Sequence, residues 1–201
     1  MKRICDVIGA LLGMIFLAPL FGSVAAAIAM TSGRPVFFCQ VRTGRCGKPF
    51  VIRKFRTMRI LCRLAGNAFE AGNRNRVTSF GSILRKTKVD ELPQLWNVIR
   101  GEMSIVGPRP EVPEWVSAYP DRWEVVLSVR PGITDPASII FRNEEALLAS
   151  SPDPFSLYRD SVLPMKLGLY EDYVRTQSLA RDLLIFSLTL AKIVFDDPLK
   201  G

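Results

Sequence analysis

VIGALLGMIFLAPLFGSVAAAIAM, residues 7–30, runs without a single charge. As a helix it would extend about 36 Å, more than the roughly 30 Å hydrocarbon core of a bilayer. Pro19 sits in its middle, flanked by Gly13 and Gly22. A proline there removes a backbone donor and clashes with the preceding turn, so the stretch predicts a helix kinked at Ala18–Pro19. Lys2 and Arg3 precede it; Arg34, Arg42 and Arg45 follow it. Positive charge marks the cytoplasmic side of a membrane segment, here at both ends. A straight span cannot satisfy that, whereas a helix that bends and returns can. The expectation is a re-entrant segment over residues 1–33 and a cytoplasmic, interfacial domain over 34–201. An ordinary span with a proline kink is the plainer alternative. A cleaved leader fits less well, because its apolar part is usually about 7–15 residues.

The remaining composition narrows the chemistry. The chain has 201 residues, enough for one domain and a small appendage. With 48% hydrophobic and 23% charged residues it is not a disordered protein. The net charge of +8 points to an anionic partner. That charge is uneven: residues 34–109 hold 16 Lys/Arg against 4 Asp/Glu, and residues 110–201 hold 9 against 14. The basic half directly follows the apolar segment, where an anionic leaflet would attract it. Histidine is absent. A Ser-His-Asp triad, an HExxH zinc site and any histidine acid–base mechanism are thereby excluded. Cys5, Cys39, Cys46 and Cys62 form no CxxC pair, so zinc is not expected and free thiols are.

Several elements are legible. PVFFCQV (35–41) and PFVIRKFRTM (49–58) read as two strands joined by a glycine-containing hairpin loop. Gly66, Asn67, Gly72, Asn73 and Asn75 mark a polar, mobile loop. There is no GxGxxG and no P-loop. Leu92, Leu95, Trp96 and Ile99 follow helical spacing, predicting a buried apolar face on a helix that starts at Asp90 and closes at Gly101. Arg130-Pro131-Gly132 suits a type II turn. Residues 178–195 read as an apolar terminal helix, short for a span.

Asp90 and Glu91 would stand at the N-terminus of that helix. Asp90 either caps it or does chemistry. A helix N-terminus favours a carboxylate and attracts phosphate, and Arg85, Lys86 and Lys88 just upstream push the same way. An ionised carboxylate beside a phosphate site is a candidate nucleophile. Arg109, between Pro108 and Pro110, would present a guanidinium fork from a stiff loop, or else sit in solvent.

Taken together, DELPQLWNVIRGEMSIVGPRP (90–110), KFRTM (54–58) and VRPGIT (129–134) resemble the bacterial sugar transferase family, the monotopic polyprenyl-phosphate phosphoglycosyl transferases. The resemblance covers residues 1 to about 134 closely and the remainder loosely. It implies an α+β, mainly helical fold with a re-entrant membrane helix kinked at Ala18–Pro19, a β-hairpin and interfacial helices. It implies transfer of a sugar 1-phosphate from a UDP-sugar to polyprenyl phosphate, with release of UMP, at the bacterial inner membrane. By the same resemblance Asp90 is the nucleophile and forms a covalent phosphosugar. Glu91 is the partner associated with Mg2+, with Asp90 beside it at the metal. Arg85 and Arg109, and from the shorter motifs Lys54, Arg56 and Arg130, are the expected phosphate- and substrate-binding cations. One departure stands out: the family continues VRPGIT with Gly-Trp-Ala-Gln, where this chain has Asp135-Pro136-Ala137-Ser138. Expected partners are the donor, the acceptor and the bilayer, with no nucleic acid and an oligomer left open. A membrane-tethered nucleic-acid-binding protein is the competing reading of the basic half. No nucleic-acid-binding motif accompanies it.

Overall fold

The computed structural model describes residues 1–59, 76–141 and 143–195. The expected loop from Gly66 to Asn75, and Cys62, lie outside the described residues. Cys5, Cys39 and Cys46 are free and exposed. The chain is mainly helical with two small sheets, an α+β arrangement.

Helices α1 (Lys2–Phe16) and α2 (Ala18–Ser32) meet at Leu17 with their axes bent by 61°. The break falls where Pro19 has no N–H to offer the preceding turn. No described helix is long and apolar enough to cross a membrane alone, although the bent pair together has the length and composition. Both ends of the pair are fastened to one folded body. Lys2 Nζ donates to Asp182 at 2.5 Å and to the Val106 carbonyl at 3.0 Å. Arg3 donates to the Ile99 carbonyl at 3.1 Å. Buried Asp6 accepts from the Ser104 hydroxyl at 2.6 Å and the Ile105 N–H at 3.1 Å. At the far end, Arg56 donates to the carbonyls of Ser32 and Gly33, satisfying groups that the end of α2 would leave without partners. Between these ties, Ala10 packs with Phe50, Ile52, Val98 and Met103, and Val24 and Ile28 pack with Phe55 and Leu84. Ile4, Ile8, Leu11, Ile15 and Phe16 stay exposed.

Strands β1 (Phe37–Thr43) and β2 (Pro49–Phe55) form the expected hairpin, with Phe37 opposite Phe55 and Thr43 opposite Pro49. Helix α3 (Ser79–Lys86) is capped by Thr78, whose hydroxyl accepts from the Gly81 N–H at 2.9 Å.

The next segment corrects the reading of one helix from Asp90 to Gly101. A 3₁₀ turn over Val89–Glu91 comes first, and α4 is only Gln94–Ile99. Glu91 N–H bonds the Lys88 carbonyl and Leu92 N–H bonds that of Val89. Pro93, lacking an N–H, separates this turn from the helix. Gly101 does close the segment, at φ 84°. The buried face is corrected in part: Leu95 and Ile99 pack against the core with Ala10 and Val98, but Trp96 is 45% exposed, and Gln94 and Asn97 are buried. Asn97 explains the polar interior position. Its amide donates to the Val51 carbonyl and Glu102, and its oxygen accepts from the Arg53 N–H, so a polar residue joins α4 to β2. Leu95 also lies against Gly13 of α1, and Leu92 and Leu95 line a cavity.

Strands β3 (Ser104–Val106) and β4 (Gly132–Thr134) pair in parallel, Ser104 opposite Gly132 and Val106 opposite Thr134. The expected type II turn is corrected here, since Gly132 is not among the residues of positive φ. Its glycine serves a close approach: a Cβ on Gly132 would lie 2.1 Å from the Gly107 nitrogen.

Short helices α5 (Pro113–Ala118), α6 (Pro120–Val126), α7 (Pro136–Ile140), α8 (Glu144–Ala149) and α9 (Pro154–Leu157) lead to α10 (Leu163–Thr176) and α11 (Leu179–Phe195). Trp115, Trp123, Tyr158, Leu163, Leu167 and Tyr170 fill the core between them. Helix α11, expected from the sequence, packs on β3, β4 and α7.

Candidate active site

The centre of the site is the turn that carries Asp90 and Glu91. Lys88, in the left-handed region at φ 57°, reverses the chain after α3 and brings both carboxylates inward. This conformation costs a non-glycine residue roughly 1 kcal/mol, a strain of the kind that concentrates at functional sites. Both carboxylates are buried. Glu91 Oε1 lies 2.6 Å from Lys54 Nζ and 2.6 Å from Arg109 Nη2, and Arg109 Nη1 is 3.5 Å from Oε2. Lys54 arrives from β2. Arg109 arrives from the loop after β3, which β1 holds in place. The Thr43 N–H donates to the Glu111 carbonyl, and Arg42 donates to the Pro110 carbonyl and to the Glu111 carboxylate.

Asp90 differs from its neighbour. Its Oδ1 is buried with no hydrogen-bond partner, and it caps no helix. The expectation of a carboxylate stabilised by a helix end is therefore corrected. Burial raises the Asp90 pKa above 3.8, and the Glu91 charge adds to this. Lys54, Lys88 and Arg109 pull the other way without reversing it. For Glu91, burial pushes up, but Arg109, Lys54 and Lys88 together hold the carboxyl well below the usual range. Burial lowers the Lys54 pKa, and Glu91 raises that of Arg109 well above its ordinary value. The pair is thus split: one carboxyl ionised and clamped, the other ionisable but without a partner.

Of the other expected cations, Arg56 and Arg130 lie elsewhere. Arg85 Nε donates to Thr57 Oγ1 at 3.0 Å. Arg56 is spent on the end of α2, and Arg130 donates to the Gly101 carbonyl at 2.9 Å. The structure does not bring Arg56 or Arg130 to the carboxylates. Helix-end carbonyls recruit both guanidinium groups, as helix C-termini do. Sequence reasoning passed over Glu111 and Arg42, which fix the Arg109 loop. It also gave no role to Asp135. This residue is fully buried, caps α7 by accepting from the Ser138 N–H at 2.8 Å, leaves Oδ2 without a partner and raises the Arg109 pKa. Its place in the departure from the family pattern was the available signal.

A cavity of about 190 Å³ opens beside the site. Glu91, Lys88 and Arg109 form part of its wall, and the rest is mostly apolar, from α4, β3, β4, α7 and α11. Among the described residues no three or more His, Cys, Asp or Glu side chains cluster as a metal cage. The two carboxylates alone, one with an unpartnered oxygen, fit the way Mg2+ is held by one or two carboxylates plus substrate phosphates.

Two adjacent carboxylates among Lys54, Lys88 and Arg109, with no histidine anywhere, are an arrangement suited to phosphoryl transfer, where positioning and charge do most of the work. Comparison with known proteins places the whole chain. The family model described as bacterial sugar transferase matches residues 1–196, and the chain belongs to that family. It is an enzyme, a phosphoglycosyl transferase. It is 37% identical over 201 residues to the UDP-glucose:undecaprenyl-phosphate glucose-1-phosphate transferase of Caulobacter vibrioides, covering 98% of this chain and 70% of that protein. It is 35% identical to the exopolysaccharide production protein ExoY of Sinorhizobium fredii, covering 96% and 84%. The UDP-glucose:undecaprenyl-phosphate glucose-1-phosphate transferase of Xanthomonas campestris is also 35% identical, covering 96% of this chain and 38% of its own.

Proposed function

We propose that this enzyme transfers a sugar 1-phosphate from a UDP-sugar to undecaprenyl phosphate in two steps, with Asp90 as the nucleophile, to begin assembly of an exopolysaccharide or related glycoconjugate. The named activities of the relatives support the donor and acceptor classes. The observation that carries the residue assignment is the unpartnered, buried Oδ1 of Asp90 beside a Glu91 already neutralised by Lys54 and Arg109.

In the first step an Asp90 oxygen forms a bond to the phosphorus that bears the sugar, and the bond from that phosphorus to the UMP oxygen breaks. UMP leaves with the electron pair. In the second step an oxygen of undecaprenyl phosphate attacks the same phosphorus, and the Asp90 carboxylate leaves unchanged. All the groups that exchange are oxyanions, so neither step needs a histidine to move a proton. A desolvated carboxylate without a partner gains more from meeting an electrophilic phosphorus than a solvated one would. Arg109 uses two of its five N–H donors on Glu91 and has others for phosphate oxygens. Lys88, exposed at the turn, adds charge on the same side. Mg2+ would be held by Glu91 and Asp90 together with the donor diphosphate, where it neutralises phosphate charge.

The bent α1–α2 pair is the membrane anchor in this reading, with residues 34–201 as the catalytic part on the cytoplasmic face. Its exposed Ile8, Leu11, Ile15 and Phe16 meet lipid, and its two ends stay with the catalytic body.

Mass spectrometry after mixing enzyme with a panel of UDP-sugars, without acceptor, tests the mechanism. A sugar-phosphate adduct is expected on the peptide containing Asp90, discharged by undecaprenyl phosphate and absent in Asp90→Asn. Full turnover by Asp90→Asn, or a ternary-complex rate law without adduct, overturns it.

A further inference from the structure

The cavity beside Glu91 has a composition that selects its occupant. Its lining includes Leu92 and Leu95, Ile105 of β3, Ile133 of β4, and Phe186 and Leu190 of α11. Its hydroxyls already have partners. Thr134 and Thr189 bond each other at 2.6 Å, Thr189 also donates to the Ile185 carbonyl, and Ser138 donates to the Asp135 carbonyl. Lys192 donates to the Ile139 carbonyl at 2.7 Å. A nucleobase or a hexose placed inside would lose its hydrogen bonds to water and find few in return, which is costly. A hydrocarbon chain loses nothing there. The charged groups lie on the wall shared with the active site, where Lys88 and Arg109 could face a phosphate.

We propose that this cavity receives the phosphate-proximal isoprenoid of the lipid acceptor, so that α11 is a wall of the acceptor site. The inference rests on the transferase reading above and adds a location and specificity-determining residues to it. A chain seated between α4 and α11 would carry its phosphate toward Glu91 and Arg109. The donor would then need a different approach, and the two substrates would not compete for one space. Leu190 and Phe186, on successive turns of α11, then govern which chains fit.

Two measurements test this. The first uses a benzophenone-bearing farnesyl phosphate, cross-linked to the unmutated enzyme in detergent micelles and mapped by peptide. Cross-links on α11 and on the segment from Leu92 to Ile105 are expected, suppressed by undecaprenyl phosphate but not by phosphatidylglycerol or UDP-glucose. The second is Leu190→Trp, which fills the cavity. The apparent KM for the lipid acceptor should rise about tenfold or more while that for the UDP-sugar stays within about twofold. Cross-links confined to α1 and α2, suppression by phosphatidylglycerol or UDP-glucose, or a KM effect confined to the UDP-sugar would overturn the proposal. The cross-link decides the matter even if Leu190→Trp does not fold. Cross-links as expected from an enzyme that releases no UMP from any UDP-sugar would uphold the lipid site and sink the transferase reading instead.

Discussion

Asp90 and Glu91 are adjacent in sequence and opposite in electrostatic situation. Burial and the Glu91 charge raise the Asp90 pKa, whereas three cations hold that of Glu91 well down. In the proposed mechanism Asp90 attacks as the carboxylate, so activity should fall on the acid side through a midpoint above 3.8, the ordinary aspartate value. The pair titrates as a unit, so the midpoint belongs to both residues. Removing the positive charge of Lys54 takes away a group that lowers the Asp90 pKa, so the residual activity of Lys54→Gln should show its acid limb at higher pH than the unmutated enzyme. A limb that stays put or moves to lower pH would exclude Asp90 as the titrating group. Arg109→Lys keeps the charge but loses the fork that holds Glu91 at two points. A fall of about tenfold or more in kcat/KM is expected, equivalent to about 1.4 kcal/mol of transition-state stabilisation. Equal activity for the two side chains would show that the fork has no part in turnover. At this scale the sequence disclosed residue types better than positions. Asp90, Glu91 and Arg109 fall within one motif, and the fold brings Glu91 and Arg109, 18 residues apart, into contact. Arg56 and Arg130 belong to equally basic motifs, yet carbonyls at the ends of α2 and α4 claim them, and nothing in local spacing announces a helix end in space.

Elements set these distances through a few close approaches. Strands β3 and β4 are three residues each, and they touch backbone to backbone at Gly107 and Gly132. Backbone bonds from Gly107 to Thr134 and from Gly132 to Pro108 fix the start of the loop that carries Arg109. In Gly132→Ala the new Cβ would meet the Gly107 nitrogen at 2.1 Å and its carbonyl oxygen at 2.4 Å. Backbone cannot yield as a flexible side chain can, so a loss of about 3 kcal/mol or more is expected, visible as a lowered midpoint in thermal or denaturant unfolding. An unchanged midpoint would mean that the strands are free to separate. Long elements of marked composition were legible: the hairpin of β1 and β2 and the terminal helix α11 lie close to where strand-forming residues around a glycine-containing loop and an apolar run put them. The β3–β4 pair was not, because a parallel pairing of three-residue strands leaves no periodic trace. The face of α4 was read only in part for a related reason. Leu95 and Ile99 pack against the core as their spacing suggests, but Trp96 is exposed, and Asn97 finds backbone partners on β2 and takes an interior position.

At the scale of the whole molecule, the decisive matter is where the two ends of the N-terminal helix pair are tied. A segment that crosses a bilayer has its ends separated by a hydrocarbon core of roughly 30 Å. Here Lys2 pairs with Asp182 of α11, Arg3 and Asp6 bond the segment from Ile99 to Ile105, and the last carbonyls of α2 accept from Arg56. Every one of these partners belongs to the same folded body. Unfastening one end would leave Asp6, buried between α1 and β3, and its Ser104 partner unsatisfied, at about 1–3 kcal/mol for each buried polar group. The apolar sequence and Pro19 announced a bend, but these ties join residues about 100 and 180 positions apart and could not be read from the segment alone. They make a specific topological prediction that the native thiols can report, since Cys5 lies in α1 and Cys46 in the hairpin, both exposed. In single-cysteine variants retaining one or the other, neither thiol should react with a membrane-impermeant maleimide in intact spheroplasts, and both should react in inverted membrane vesicles. Reaction of Cys5 but not Cys46 in spheroplasts would place the ends on opposite sides and require the bonds of Lys2, Arg3 and Asp6 to be broken in the membrane-bound enzyme.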